Sequence, residues 1–209
     1  MSFNTIKFSL RGTDAMLQHN DRLANPLDEH TKAIRTLHKE KSRLGRGKNA
    51  SEEEAERVLE EIFKVEWYGG TYYADDIGFY VPWKMIRACL NGAAKQTRDG
   101  KKIERGVSST AARFPLTFNG SHLTIDEVWE EGKNRDVRIV RVGAAKVPRC
   151  RPVFFGWEFD CEIMFDSGVI GRDELIEFMQ RAGRSEGIGD GRKLGFGRFT
   201  VHSVDGKRV

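Results

Sequence analysis

The stretch Thr5–Arg11 reads TIKFSLR, and apolar and polar residues alternate along it. Ile6, Phe8 and Leu10 fall on one face, and the residues between them are basic or hydroxylated. An alternation of period two is the pattern of a β-strand that buries one face. The sequence therefore predicts that a half-buried strand opens the fold, and the order of the later elements decides the architecture.

Two charged helices are predicted next, as an insertion over residues 28–64. The second helix begins at Ser51, because Ser51 and Glu54 have the spacing of a capping box. The breaker GRGKN at 45–49 separates the two helices. Both helices carry few large apolar residues, so we expect a peripheral insertion with one thin apolar stripe.

The rest of the chain supplies the other core elements. We predict, in chain order, short extended segments at 65–73 and 77–82, a helix from Pro82, a polar link at 95–105, strands at 114–118, 137–142 and 153–165, a helix at 171–183 and a closing strand from Phe199. Without the insertions the order is strand, helix, strand, strand, helix, strand, which is the βαββαβ plan. The predicted fold class is therefore α+β, with a ferredoxin-like (RRM-like) core, in a single domain over residues 1–209.

Composition permits a nucleic-acid partner without requiring one. The formal net charge is +4 and the isoelectric point is near 9.0, so the distribution of charge has to decide. The cysteines Cys89, Cys150 and Cys161 show no metal-ligand spacing, which is typical of reduced thiols, and no metal or cofactor is predicted. The sequence carries neither a signal-peptide pattern nor an apolar run long enough to span a bilayer, so we expect a cytoplasmic protein.

A glycine-rich segment, Gly187–Phe199, reads GIGDGRKLGFGRF and follows a predicted helix. A dinucleotide-binding loop needs the opposite order, strand then helix, so the sequence argues against a dinucleotide site. Two alternatives remain. Glycines let a backbone approach a phosphate, with basic side chains beside it; or they cap the helix and form a bulge, with the basic residues solvated. The residues concerned are Gly189, Gly191, Arg192, Lys193, Gly195 and Arg198.

A second basic segment lies between Asn134 and Arg151, where six basic residues accompany the single acidic residue Asp136. In the predicted strand Arg138 and Arg141 fall on opposite faces, which is unusual for an ordinary sheet. The alternatives are a solvated or ion-paired surface and a strand that grips phosphates. The six residues are Arg135, Arg138, Arg141, Lys146, Arg149 and Arg151.

His19 and Asn20 follow the first strand, where a polar pair binds a ligand or stabilises a local turn. Aromatic rings near the basic segments offer surfaces on which single-stranded bases stack. We expect most of these rings to be core residues. They are Trp67, Tyr68, Tyr72, Tyr73, Phe154, Phe155 and Trp157.

Three motifs in this order resemble the repeat-associated mysterious protein (RAMP) superfamily, the RNA-binding subunits of CRISPR effector complexes. The first strand leads into Leu17, His19 and Asn20; Tyr80-Val81-Pro82 precedes a helix; and the glycine-rich segment precedes the closing strand. The stretches Leu17–Leu27 and Val147–Trp157 also look like patterns shared by uncharacterised bacteriophage proteins.

The leading hypothesis, from the basic segments together with the resemblance, is a non-catalytic protein that binds RNA or single-stranded DNA without sequence preference in the bacterial host cytoplasm. Its assembly as a backbone filament is what the resemblance alone implies. Its candidate nucleic-acid-binding residues are Arg138, Arg141, Lys146, Arg149, Arg151, Gly189, Gly191, Arg192, Lys193, Gly195, Arg198, His19 and Asn20. One alternative is a RAMP-type ribonuclease that uses His19, Asp21 or Asp28. The other is a phage protein-binding module that mimics a CRISPR backbone subunit. The residues give no positive reason to assign an enzyme, a cofactor or a membrane partner; other CRISPR-like or phage proteins remain candidate partners.

Overall fold

The computed structural model describes residues 3–45 and 51–209. The predicted breaker at 45–49 therefore lies, except for Gly45, outside the described residues. The chain divides into two compact units, which are described separately. The sheet unit contains the chain up to Leu17, Tyr72–Ile125 and Phe154–Val209, and the helix–hairpin unit contains Gln18–Thr71 and Asp126–Val153. The single domain over 1–209 stays a prediction.

Eleven strands occur in the described ranges: β1 (Phe3–Gly12), β2 (Met16–Leu17), β3 (Tyr73–Ala74), β4 (Gly78–Pro82), β5 (Val107–Ser109), β6 (Arg113–Pro115), β7 (Arg135–Val142), β8 (Ala145–Phe154), β9 (Glu158–Asp166), β10 (Phe199–Val204) and β11 (Lys207–Arg208). The α-helices of the same ranges are α1 (Glu29–Leu44), α2 (Glu52–Gly70), α3 (Trp83–Lys95), α4 (Gly100–Gly106), α5 (Ile125–Glu131) and α6 (Arg172–Arg181). Short 3-10 turns lie at Asp21–Ala24 and Arg192–Leu194, and a π-turn at Ala182–Glu186.

The sheet unit is built on an antiparallel sheet of strand order β11-β10-β1-β9-β5. The opening strand is central, because β1 pairs with β9 on one side and with β10 on the other. Ile6, Phe8 and Leu10 are at most 1% exposed, as their alternation predicts. The helices α3 and α6 carry the matching buried stripes and pack against each other.

The connections have the predicted βαββαβ order, but the second strand of the sheet is β5, which was not predicted. The predicted strand at 114–118 forms only β6, which pairs with β4 outside this sheet. From β1 the chain passes through α3 and α4 to β5, with β9 lying between the two strands, and from β9 it passes through α6 to β10, with β1 between them. Two such crossovers over one antiparallel sheet are the split βαβ pattern. The fold class is α+β, and the helical insertion follows the first strand.

The helical insertion is longer than predicted. The stretch 65–70 was expected to be extended, but it forms the last turns of α2, and the insertion ends at Gly70 instead of residue 64. Ile62, Glu66 and Trp67 are all buried on this helix, so its apolar stripe continues beyond the charged part. The Thr71 hydroxyl then donates to the carbonyl of Trp67 and closes the helix end.

The predicted polar link at 95–105 is also wrong, because Gly100–Gly106 forms helix α4. A Cβ at Gly100 would lie 2.7 Å from Cγ of Lys95 and 2.8 Å from Oδ1 of Asn91, so α4 packs closely on the end of α3. Ile103 is fully buried and anchors this short helix.

The basic segment forms an antiparallel hairpin of β7 and β8, of which only β7 was predicted. The predicted strand over 153–165 is interrupted at Gly156, which has a φ of 58°, and continues as β9. Helix α5 was not predicted, and it is short, with only Val128 and Trp129 buried.

Candidate nucleic-acid interface

The helix–hairpin unit contains a cavity of about 500 Å³ that is lined by four arginines, and we call it the arginine cavity. The 3-10 turn, α1, α2 and the β7–β8 hairpin each contribute to its wall. Its lining residues are His19, Leu23, Ala24, Thr31, Ile34, Arg35, His38, Glu66, Val140, Arg141, Arg149, Cys150 and Arg151. Four guanidinium groups and one carboxylate leave a formal excess of three positive charges.

Helix α1 supplies one face to this cavity. Thr31, Ile34, Arg35 and His38 are spaced three, four and seven residues apart, so they lie on one side of the helix. Asp28 caps the helix by accepting from the backbone N–H of His30 at 3.0 Å, and this cap fixes where the face begins. Arg35 was not among the predicted site residues, although its helical spacing from His38 was visible in the sequence.

Glu66 is the carboxylate of the cavity and was also missed. It is 3% exposed and accepts from Nη1 of Arg149 in a short contact and from the backbone N–H of Cys150 at 2.9 Å. Both contacts join α2 to β8 within the helix–hairpin unit. Arg149 is therefore neutralised by the chain itself, as the ion-paired alternative required.

Arg35 and Arg141 are exposed and, among the described residues, form no ion pair. Within residues 3–45 and 51–209, no carboxylate pairs with either guanidinium group. A polyanion that enters the cavity therefore meets two uncompensated guanidinium groups, and these suit phosphate oxygens.

Two titratable groups of the cavity are held neutral. Partial burial of the ring, followed by the positive charge of Arg149, lowers the pKa of His38. Glu66 opposes this shift and Lys41 adds to it. Burial raises the pKa of the Cys150 thiol to about 12. The thiol is therefore an apolar part of the wall and not a nucleophile.

The hairpin register places the other predicted cations. Arg138 faces Arg149 across the strands, and its Nε lies 2.8 Å from both carboxylate oxygens of Asp136. Arg141 pairs with Lys146, which is exposed near the hairpin turn. The basic residues thus occupy both faces of the hairpin, as predicted, and Asp136 balances one of them.

His19 and Asn20 differ in their surroundings. His19 lines the arginine cavity. Asn20 is 6% exposed, accepts from the N–H of Arg22 at 3.1 Å and donates to the carbonyl of Thr71 at 3.3 Å. These contacts favour the turn-stabilising alternative for Asn20 and leave His19 in contact with the cavity.

The glycine-rich segment lies in the sheet unit, and we call Gly187–Gly197 the glycine turn. Gly189 has a φ of 92°, and a Cβ there would lie 2.2 Å from the carbonyl oxygen of Leu17. The neighbouring Asp190 N–H donates to the same carbonyl at 2.8 Å. At Gly189 the backbone that comes close is therefore that of the chain itself and not that of a ligand.

Other positions of the glycine turn are more open. Gly195 has a φ of 93° and open space where a Cβ would stand, whereas a Cβ at Gly191 would lie 3.0 Å from the side chains of Leu17 and Phe196. Arg192 and Lys193 lie in the 3-10 turn between these two glycines. A phosphate can therefore approach the backbone at Gly195 without a steric clash.

Arg198 completes this group. Its Nη1 atom is buried, and no hydrogen-bond acceptor for it occurs in residues 3–45 and 51–209. Leaving a buried donor unsatisfied costs about 1–3 kcal/mol. An anion at this point would therefore be stabilised by a donor that the described chain does not use.

Most of the aromatic candidates belong to the core. Trp67, Tyr72, Phe154 and Trp157 are at most 4% exposed, whereas Phe155 is 47% exposed. Tyr68 and Tyr73 are half-buried. Stacking surfaces for bases are thus limited to a few rings.

Within the described ranges, no group of three or more His, Cys, Asp or Glu side chains is placed to hold a metal ion. The same ranges contain no helix with the length and apolar character needed to cross a bilayer.

The predicted site residues are divided between the two units. Five of them lie in the β7–β8 hairpin of the helix–hairpin unit, and His19 and Asn20 belong to the same unit. The other six lie in the glycine turn of the sheet unit or next to it.

No protein-family model matches the chain, and no curated protein matches its sequence. Among solved structures, the chain is similar to the crystal structure of Cmr6 from Pyrococcus furiosus, with a TM-score of 0.36 and 9% sequence identity. The similarity covers 96% of this chain and 99% of that chain. Likeness at this level decides neither family nor function, so the functional argument is built from the chain's own residues.

Proposed function

We propose that the protein binds single-stranded nucleic acid, RNA or DNA, through its phosphates and without sequence preference, and that it does not cleave the strand. The observation that carries this proposal is the arginine cavity, in which Arg35 and Arg141 face a space of about 500 Å³ without a balancing carboxylate. A space of that size accommodates small ligands. One nucleotide of a strand is a ligand of this size that also carries the required negative charge.

The glycine turn is proposed as a second phosphate contact, made by the sheet unit. The unsatisfied donor of Arg198, the cations Arg192 and Lys193, and the open backbone at Gly195 support it. Contacts of this kind read the phosphate chain and not the bases, so they predict low sequence specificity.

The proposal extends to self-association as a filament. Val137 and Ile139 are 50% and 72% exposed on the hairpin face that also carries Lys146. Helix α2 begins with three consecutive glutamates, Glu52–Glu54, so a second copy offers a surface of opposite charge. Contacts between two different surfaces of identical chains generate open filaments when the rotation between copies does not close into a ring.

The test uses a labelled 40-nucleotide single strand, as RNA and as DNA, in fluorescence anisotropy across a salt series. Each phosphate contact contributes about 0.7 to the slope of log affinity against log salt for single strands. Replacing Arg35→Gln and Arg141→Gln together should make the slope less steep by about 1.4 and weaken binding at low salt. Stability should change by less than about 0.5 kcal/mol, because both side chains are exposed.

The control for each single replacement is Arg57→Gln, which removes one exposed cation from α2 of the same unit, away from the cavity. It should leave the slope unchanged. A wild-type protein indifferent to both strands would overturn the proposed function. Binding that the double variant and the control weaken equally would remove the cavity from the site.

Light scattering of the same samples tests the filament. Growth in mass when the strand is added supports it, and a constant monomer mass contradicts it.

Membership of the RAMP superfamily and a bacteriophage origin stay predictions, and so do the cleaving and CRISPR-mimicking alternatives. Intact labelled RNA after incubation with and without magnesium would contradict cleavage.

A further inference from the structure

A second concentration of positive charge lies in the sheet unit, on α3, α4 and the turn between them. We call its members the α3–α4 cations. All five are exposed and, in the part of the chain that the structure describes, none of them forms an ion pair: Arg87, Lys95, Arg98, Lys101 and Arg105. None of them is among the residues assigned to the proposed function.

The nearby carboxylates do not neutralise this surface. Glu104 accepts from the side-chain amide of Asn91 at 3.0 Å, and its backbone carbonyl accepts from Arg87 at 3.2 Å. Asp99 and Glu174 both lie against Lys102, at 3.2 and 2.6 Å. Lys102 is thus balanced by two carboxylates, while the five α3–α4 cations have none.

The opposite arrangement occurs on the open face of the same unit's sheet. Lys7 pairs with Asp160 at 2.8 Å, and Arg11 pairs with Glu158 at 3.0 Å. The lack of carboxylate partners at the α3–α4 cations is therefore not a general feature of the polar surface of this unit. On the sheet the same chain places a carboxylate opposite each of these two cations.

Two local preferences are broken on this surface. Lys101 and Arg105 are four residues apart on α4, and like charges at this spacing destabilise a helix. Arg98 has a φ of 68°, a left-handed conformation that normally favours glycine. The Asp99 N–H donates to the carbonyl of Ala94 at 2.9 Å, so Arg98 holds the helix-ending position at which glycine is usual.

Arg98 places a long cationic side chain at a position that usually holds glycine, and Lys101 and Arg105 form an uncompensated pair of like charges. This arrangement is unfavourable for folding, but it favours the binding of a polyanion. Local rules are broken in this way chiefly at functional sites. A protein partner fits less well, because charged residues as a group are depleted at the centre of protein–protein interfaces, where aromatic side chains are enriched. The described residues include no exposed large apolar side chain between Trp83 and Gly106.

We infer that the α3–α4 cations form a further phosphate-binding surface of the sheet unit, which contacts the sugar-phosphate backbone of a single strand. This inference rests on the proposed function, because it assigns an additional contact to the same ligand. The surface adds affinity and no sequence discrimination, since exposed lysines and arginines on helices read phosphates.

The first experiment combines Lys95→Gln, Lys101→Gln and Arg105→Gln and measures strand affinity against salt by fluorescence anisotropy. The expected result is a slope less steep by about 2 than that of the wild type, from three lost contacts at about 0.7 each. The matched control combines Lys7→Gln, Arg11→Gln and Arg172→Gln, three cations of the same unit that are each paired with a carboxylate. It removes the same net charge and should leave the slope unchanged.

Arg98→Gly separates folding from binding. Glycine relieves the left-handed strain, so the urea midpoint should rise, whereas the salt slope should become less steep by about 0.7. A purely structural Arg98 would change the midpoint and leave the slope as it is. The opposite signs of the two readouts make this variant informative even where the triple variant loses stability.

The outcomes also separate the two proposals. If the wild type shows no salt-dependent binding, both fail. If the Arg35→Gln and Arg141→Gln pair weakens binding while the α3–α4 triple variant keeps the wild-type slope, only the present inference fails. A triple variant that keeps the slope but loses mass in light scattering would assign the surface to a second copy of the chain and also overturn it.

Discussion

The glycine turn and the arginine cavity were both predicted to approach phosphates, yet the structure uses their residues in different ways. At Gly189 the missing side chain admits the carbonyl of Leu17, and at Gly195 the same absence leaves open space. In the cavity, Arg149 is balanced by Glu66, whereas Arg35 and Arg141 are not. Residue type alone did not separate the positions that serve the fold from those available to a ligand.

The difference teaches that a binding residue is recognised by what the chain leaves unsatisfied around it. A glycine whose space is occupied by backbone is part of the packing, and an arginine against a buried carboxylate is part of an ion pair. Arg198 shows the converse, since its buried Nη1 lacks an acceptor among residues 3–45 and 51–209. The groups that fill the space at a glycine or balance an arginine come from distant parts of the sequence, so short motifs do not reveal them.

The largest expected effect comes from comparing two glycine substitutions in the glycine turn. Gly189→Ala places a methyl group against the carbonyl of Leu17 in a left-handed conformation and should destabilise the fold by about 3 kcal/mol or more. Gly195→Ala meets no atoms within 4 Å, so only the backbone strain remains, about 1–2 kcal/mol. Urea denaturation of both variants measures the difference.

The Gly195→Ala protein should remain folded, and its strand affinity can be measured. Equal losses of stability in the two variants would contradict the distinction drawn between closed and open glycines. Unchanged affinity in Gly195→Ala would mean that a methyl group at this position does not obstruct the strand.

The next effect concerns the ion pair in the arginine cavity. Arg149→Gln leaves the buried carboxylate of Glu66 with the backbone N–H of Cys150 as its donor among the described residues. The change should cost about 2 kcal/mol, less than the loss of a fully buried pair, because Arg149 is half-buried. Arg138→Gln removes a cation paired with Asp136 at a more exposed position and should cost less than about 1 kcal/mol. Chemical denaturation of the two variants tests this order.

A double variant sharpens the comparison. Adding Glu66→Gln to Arg149→Gln removes the stranded charge and should recover part of the lost stability, which a double-mutant cycle measures. Additive effects of the two changes would contradict an ion pair that stabilises the unit. A mutation of Arg149 alone is for the same reason a poor test of nucleic-acid binding, since lost stability and lost contact would coincide.

The main elements of the sheet unit could be predicted because they repeat simple periodicities. The alternation in Thr5–Arg11 marks the strand that became the centre of the sheet, and the apolar stripe of Trp83–Lys95 marks α3. Helix α4 was missed because its sequence is mostly charged and its stability comes from the packing of Gly100 and Ile103. Composition gives no indication of such a contact.

The site was harder to predict than the fold. The basic hairpin residues were found as a charge cluster, but the cavity also needs Arg35 from α1 and Glu66 from α2, which are far away in sequence. The helical spacing of Thr31, Arg35 and His38 was a sequence signal that could have identified Arg35. No sequence pattern indicated that Glu66 would be buried against Arg149, because that depends on how α2 and β8 pack.

The smallest expected effect is the pH dependence of binding at the arginine cavity. Burial and the charge of Arg149 lower the pKa of His38, so its imidazole is neutral at neutral pH. In the free protein, acid therefore favours the unfolded state, and the stability contributed by the neutral imidazole is lost as the pH falls below about 6.5. Phosphates bound in the cavity have the opposite effect on the pKa of His38, because nearby negative charge favours the imidazolium form.

Strand binding should thus raise the pKa of His38, and affinity should increase a few-fold between about pH 7.5 and 5.5. NMR titration of the His38 ring with and without the strand measures the shift directly, and His38→Gln should flatten the pH dependence of affinity. His122→Gln, outside the cavity, is the matched control. A His38 pKa that does not respond to the strand would mean that phosphates do not enter the cavity, even if the protein binds nucleic acid elsewhere.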